Sequence, residues 1–129
     1  MAASTGRPQK LGRLKKRSEF LAVAAANRRF ATPGLVLQAR KRSTDVELPA
    51  CPLRIGFTAT KKIGNAVARN RARRRLRAAV HDILHHDDAL TPHPADLVLV
   101  ARKGTIDRPY VDLKSDLTVA LERLGVVTR

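Results

Sequence analysis

The stretch KKIGNAVARNRARRRLR, residues 61–77, holds eight basic residues and no acidic one. From Ala66 onward its apolar residues keep the helical period. Ala68, Ala72, Leu76, Ala79, Val80 and Ile83 fall on one stripe when each residue advances by about 100°. Arg69, Arg71, Arg73, Arg74, Arg75 and Arg77 fan over the remaining arc, with Asn70 among them. The spacing predicts a helix from Ala66 to about His85, with KKIGN as a loop before it and Asn65 as its N-cap. A solvated helix face gains by mixing signs at i, i+4, whereas Arg69/Arg73/Arg77 and Arg71/Arg75 are like-charged at that spacing. Such a helix therefore constrains the chain twice. Its small apolar stripe, mostly Ala, asks for close packing on a sheet, and its polar face asks for a polyanion.

The rest of the charge points the same way. Residues 1–30 carry eight Lys+Arg and one acid, residues 61–80 eight and none, and residues 81–129 six against eight acids. A net charge of +15 repels itself, and a polyanionic partner offsets that repulsion. The excess sits in the N-terminal arm and in the arginine helix, the footprint of nucleic-acid binding. The chain has 129 residues, 43% of them hydrophobic, which fits one folded domain. The lone Cys51 offers neither a disulfide nor a metal framework and suits a reducing cytoplasm. No apolar run spans a bilayer and no apolar signal core opens the chain. The acid-poor N-terminus faintly resembles a transit peptide, but residues 13–26 read as part of the domain.

Residues 1–12, with Gly6, Pro8 and Gly12, are expected to be a flexible basic arm, and residues 13–129 the domain. RSEFLAVAAANRRF predicts a helix capped by Ser18, with Phe20, Leu21, Val23 and Ala24 apolar, stopping near Asn27 or Arg28. TPG at 32–34 is a turn, LVLQARKR a strand and STDVELPACP a loop. LRIGFTAT alternates, with Leu53, Ile55, Phe57 and Ala59 on one face, and predicts a strand buried on that face. A further short strand is expected around residues 58–62. DDALTPHP is a loop, ADLVLVARKG an apolar strand covered on both faces, and residues 107–127 a second amphipathic helix. Tyr110, Leu113, Leu117, Ala120, Leu121 and Leu124 are its core positions, and Gly125 is its stop. Helices interleaved with a small sheet make one α+β domain.

Several function classes compete for the arginine helix. Arg outnumbers Lys in it, and the planar guanidinium matches phosphate bidentately. A membrane-surface helix needs bulkier apolar residues than Ala. A sequence-specific DNA reader needs a recognition helix, and nothing here resembles a helix-turn-helix. RNA remains the favoured partner. Lys61, Lys62 and Gly64 serve either as an anion-binding entry to the helix or as a plain strand-to-helix turn. His81, His85, His86, Asp87, Asp88 and His93 cluster at the helix end, with His81 and His85 at a metal-ligand spacing but no fixed third ligand. No nucleophile–base pair or P-loop is visible, so no catalytic side chain and no protein-held metal is expected.

GFTATKKIGNAVARNRARRRLR closely resembles the signature of the protein subunit of bacterial ribonuclease P. Its core is Arg69-Asn70-Arg71, preceded by Lys61, Lys62, Gly64 and Asn65 and followed by Arg73, Arg74 and Arg77. RLKKRSEF, residues 13–20, and DLVLVARKG, residues 96–104, resemble the family's first helix and last strand, so the likeness spans roughly residues 11–125. The resemblance implies an α/β sandwich on a central four-stranded mixed sheet, in the order α-β-β-β-α-β-α. It also implies a left-handed strand–helix–strand crossover, as in the second domain of a small-subunit ribosomal protein. It implies a protein that binds a catalytic RNA and the 5′ leader of precursor tRNA. That RNA would use Mg²⁺, held mainly by itself, to remove the leader. By matching position Lys61, Lys62, Asn65, Arg69, Asn70, Arg71, Arg73, Arg74 and Arg77 would contact RNA. Arg13, Lys15, Lys16 and Phe20 would line a leader cleft, although Phe20 also reads as plain core. No membrane and no obligate protein partner is implied. The chain departs from the family at Ala24 and near Gln38, where further aromatics are frequent, so its cleft is expected to rely more on charge than on stacking. An assembly protein that binds a fixed ribosomal RNA site, and an autonomous nuclease built on the His/Asp cluster, are the rival readings.

Overall fold

The computed structural model describes residues 11–42, 53–86 and 91–128. In chain order its elements are β1 (Gly12–Arg13), α1 (Arg17–Ala25), β2 (Arg28–Ala31), β3 (Leu35–Lys41) and β4 (Leu53–Thr58), then α2 (Ala66–His86), β5 (Thr91–Pro92), β6 (Ala95–Ala101), α3 (Lys103–Asp107), α4 (Tyr110–Arg123) and β7 (Val127–Thr128). Five strands form one mixed sheet in the order β1-β4-β6-β3-β2. β4 lies parallel to β6, with Leu53 opposite Ala95 and Thr58 opposite Val100, so α2 is the crossover between two neighbouring strands. β3 runs antiparallel to β6 and to β2. β5 and β7 make a separate ribbon.

The two faces of the sheet are covered differently. Leu35, Leu37, Leu53, Leu97 and Leu99 are fully buried on one face, against Ala72, Leu76 and Ala79 of α2 and Leu113, Leu117 and Leu121 of α4. The alanines let the backbone of α2 lie close to the strands, as the stripe required. On the opposite face Val98 joins Leu14 and Val23 in a small core beneath α1, with Phe20 and Val100 packed against it. The result is α1, then sheet, then α2 with α4, and β6 is buried on both sides as expected.

Six expectations need correction. The sheet has five strands rather than four, because Gly12 and Arg13 pair with Arg54 and Ile55 at its edge. The extra strand expected near residues 58–62 is instead a 3-10 turn at Lys61–Ile63. The strand that completes the order is β2, which follows α1 directly after Asn27 turns the chain at φ 55°. Four residues are too few to show a period against the helix before them. β4 is not open on one face, since Gly56 and Arg54 lie beneath α1. A Cβ at Gly56 would come within 2.4 Å of the Phe20 ring, so only Gly lets the ring down onto the strand. The last helical segment is two helices, because Pro109 forces Arg108 into an extended conformation at ψ 146°. Ser18 lies inside the first turn of α1. Glu19 does the capping, its Oε1 accepting from the backbone N–H of Lys15 and of Lys16 at 2.9 Å each. The loop expected at 43–52 lies outside the described residues, as do residues 1–10 of the arm and 87–90 of the loop expected at 87–94, while Thr91 and Pro92 of that loop form β5 against Val127 and Thr128.

Candidate nucleic-acid interface

The entry to α2 is built from backbone constraints. Ile63 N–H donates to Thr60 O at 3.0 Å and Gly64 N–H to Lys61 O at 3.1 Å, which closes the turn and leaves the Lys61 and Lys62 side chains exposed. Gly64 sits at φ 143°, a conformation that favours Gly. Asn65 Oδ1 then accepts from Ala68 N–H at 2.9 Å, so its amide is the helix cap the sequence announced.

The arginines of α2 separate into two sets. Arg75 turns toward α3 and α4. Its Nε donates to Thr105 O at 2.8 Å, its Nη2 donates to Arg108 O, and its guanidinium lies 5.9 Å from the Tyr110 ring centre. Tyr110 is itself tied back to α2 through Asp82, donating to Oδ2 at 2.7 Å. Burial first, then this bond, pushes the Tyr110 phenol up to about 12. Arg75 is thus a structural tether. Among the described residues the others meet no acid. Arg73 Nη2 donates to Asn70 Oδ1 at 2.6 Å, which orients a cation without neutralising it. Arg77 lies 5.3 Å above the Phe57 ring centre. The Arg71 and Arg74 side chains have no hydrogen-bond or ion-pair partner among the described residues, and the Arg69 Nε is buried without one.

Two concavities organise this set. Asn70, Arg73, Arg74 and Arg77 surround one of ≈ 380 Å³ on the outer face of α2. A second, of ≈ 270 Å³, opens where α1 meets the β4 edge, and Arg13 and Phe20 line it together with Gly56, Phe57, Arg73 and Arg77. The structure therefore joins two groups that are far apart in sequence. Lys15 and Lys16 are exposed at the start of α1 but do not line this groove. Arg71, one turn before Arg75, lines neither concavity. Ala24 is exposed and Gln38 half-buried. The ring that joins Phe20 in the groove is Phe57, which the strand alternation assigns to the core or sheet face. It does pack against the core, but it also lines the groove, and the alternation carries no signal of that opening.

An ion cluster fastens α1 to the sheet beside this groove. The Asp96 carboxylate is 1% exposed. It accepts from Arg54 Nε at 2.8 Å and Nη2 at 2.7 Å, and Arg42 Nε lies 3.3 Å away. Arg54 Nη1 also donates to Glu19 Oε2 at 2.8 Å. The backbone amides of Lys16 and Lys15, then the Arg54 charge, hold the Glu19 carboxyl below its usual range. None of these residues was a site candidate, and isolated charges in a strand carry no signal of a cluster that spans several elements. Among the described residues no three His, Cys, Asp or Glu side chains converge on a point where a metal could sit. Nor is any described helix long and apolar enough to cross a membrane.

Comparison with known proteins gives the chain's family and bears out its fold. The family described as ribonuclease P matches residues 9–125. The ribonuclease P protein component of Paramagnetospirillum magneticum is 49% identical over 120 residues, covering 93% of this chain and 87% of its own. That of Gluconacetobacter diazotrophicus is 50% identical over 114 residues, covering 88% and 91%. The solved RNase P protein of Staphylococcus aureus shares the fold with a TM-score of 0.69 at 23% identity, covering 91% of this chain and 98% of its own. The one from Thermotoga maritima does so at 0.66 and 23%, covering 86% and 96%. The chain belongs to the ribonuclease P protein family, the protein components of a tRNA-processing endoribonuclease.

Proposed function

We propose that this protein binds the RNA subunit of ribonuclease P through the turn at Lys61–Ile63 and the outward arginines of α2. On this reading it also holds the 5′ leader of precursor tRNA in the groove of Arg13 and Phe20, and so assists removal of that leader. One observation carries the proposal: the cations of α2 that no acid answers among the described residues run into a groove whose other wall is α1. Asn70, Arg73, Arg74 and Arg77 surround the outer concavity, and the three arginines supply guanidinium groups matched to phosphate. Arg13 and the half-buried Phe20 supply charge and a stacking surface for an unpaired strand. Lys15, Lys16 and Lys62 add exposed charge around them.

The protein's part is electrostatic and positional. Two large RNAs repel each other, and a row of arginines between them lowers that repulsion and the Mg²⁺ needed to overcome it. Among the described residues no set of side chains fits a Mg²⁺ site. That ion takes carboxylate and water oxygens, and the buried Asp96 carboxylate is already taken up by arginines. On this reading Mg²⁺ is held by the RNA, where it would supply the charge stabilisation for phosphodiester hydrolysis, and the protein provides no catalytic side chain.

The test is cleavage of a 5′-leader precursor tRNA by the cognate ribonuclease P RNA at low Mg²⁺, with and without the full chain. Strong stimulation, with no cleavage by the protein alone, is the expected result. No stimulation would favour a protein that binds a fixed RNA site without changing a rate. Cleavage by the protein alone would return the chemistry to the His81 region.

A further inference from the structure

We propose that Phe57 is the floor of a seat for one unpaired nucleobase, with Arg13 and Arg77 receiving the phosphates beside it. The proposal deepens the RNA-binding reading above and rests on it. A cavity of ≈ 470 Å³ lies on the α2 side of the sheet edge, walled by Leu11, Ile55, Phe57 and Val80 and flanked by Arg13 and Arg77. Ile55, Phe57, Arg13 and Arg77 also line the ≈ 270 Å³ groove that holds Phe20, so the two concavities are neighbours with a shared wall. An aromatic ring is open to each. The wall they share carries two guanidinium groups and no acid beside the Phe57 ring, with the apolar cavity on one side and the more polar Phe20 groove on the other. Unpaired RNA alternates the same features: flat bases joined by charged phosphates. Single-strand sites pair a cationic track with rings in this way, because every base has a π-face. An acidic peptide would match the charge but has no use for two open rings.

Phe57 is half-buried rather than enclosed, and its ring is the large apolar surface of the cavity. Arg77 rests on it at 5.3 Å, a cation–π contact that shields the ring while no base is bound. A base sandwiched between ring and guanidinium needs two stacking distances, roughly 7 Å in all. An entering base therefore displaces Arg77 from the ring, and the freed guanidinium turns to the adjoining phosphate. Phe20 and Phe57 then seat neighbouring nucleotides across the shared wall.

The experiment uses the full chain with two probes, a fluorescent single-stranded oligoribonucleotide and its counterpart with the bases removed. Wild type is expected to prefer the base-bearing probe. Phe57→Leu is expected to weaken binding of that probe about tenfold, as one base is left unstacked, and to leave the abasic probe unchanged. Phe57→Tyr keeps a ring and is expected to bind as wild type. Equal binding of the base-bearing probe by Phe57→Leu, or an equal weakening on both probes, overturns the seat. A second measurement needs no variant: photocrosslinking of a 4-thiouridine probe to wild type, mapped by mass spectrometry. An adduct at Phe57 supports the seat, and adducts confined to α1 and the outer face of α2 overturn it. A variant with Arg69, Arg71 and Arg73 changed to Ala separates the two failures. If it weakens binding while Phe57→Leu does not, only the seat falls. If neither changes binding, the RNA reading falls with it.

Discussion

The sheet face under α1 and the outer face of α2 are both rich in arginine, and they treat it oppositely. Beneath α1, Arg54 is held by Asp96 and Glu19, with Arg42 and Arg40 on the same buried carboxylate. On α2, Arg71 and Arg74 have no acid within reach among the described residues, and Arg73 has only the Asn70 amide. In the first region charge links four elements of one chain, α1, β3, β4 and β6, so the partner is internal. In the second the chain leaves the partner out. Arginine content alone does not mark a binding surface. What marks it is arginine whose neutralising group is missing from the fold.

The sharpest way to break this comparison is to remove an acid from the first region. Asp96→Ala leaves Arg54 and Arg42 without their carboxylate. It is expected to cost about 3 kcal/mol in denaturant unfolding, since two charge-assisted bonds of Arg54 are lost and only its bond to Glu19 remains. The salt dependence of RNA affinity should stay as it is. A destabilisation under about 1 kcal/mol, the level of an exposed pair, would show that the cluster is not a fastener.

Changing Arg69, Arg71 and Arg73 to Ala addresses the second region. The slope of log affinity against log salt is expected to fall by about 0.7–0.9 for each phosphate the helix no longer neutralises, with stability unchanged or slightly raised as like charges are removed. An unchanged slope would remove α2 from the interface.

Neighbouring positions on one helix sharpen the contrast. Arg75→Ala gives up two carbonyl bonds and is expected to cost about 1–3 kcal/mol of stability while leaving the salt slope alone. Arg74→Ala is expected to do the reverse. If both behave alike, the division of α2 into a tethering and a binding flank is wrong.

The smallest effects are those of pH. Glu19 titrates lower when folded, so its contribution is complete above its ordinary pKa of 4.5 and is lost as pH falls below that value through the lowered one. Glu19→Gln should flatten the acid limb of stability in that window. Tyr110 titrates higher when folded. Its contribution is complete below its ordinary 10.0 and is lost as pH rises toward about 12. Tyr110→Phe should flatten the alkaline limb, and a curve identical to wild type would show that the bond to Asp82 carries no linkage.

Much of the fold was legible because it is written in local periods. The stripe of Ala72, Leu76, Ala79 and Val80 is buried, the core positions of α4 from Leu113 to Leu121 are buried, and β6 is covered on both faces. Asn65 caps α2 because capping needs only a side chain and an amide three residues on. The elements that escaped are short or depend on distant partners. β1 is two residues long and exists because β4 offers it an edge. β2 is four residues with no period of its own. The division of α3 from α4 was within reach, since Pro109 is visible in the chain.

By itself the sequence determined that a cationic helix lies on a small sheet, that its outer face carries a run of like charge, and which family the chain resembles. These follow from spacing along the chain, which periodicity and like-charge repulsion read directly. Tertiary structure decided which arginines are free. Arg75 and Arg77 stand two residues apart, yet one turns to the carbonyls of Thr105 and Arg108 and the other to the ring of Phe57. It also decided that Arg13, Phe20, Phe57 and Arg73 share a groove, because the sheet order sets β1 beside β4 and α1 over it. A side chain's partner is whichever group the fold brings within hydrogen-bonding distance, and that depends on residues tens of positions apart being brought together.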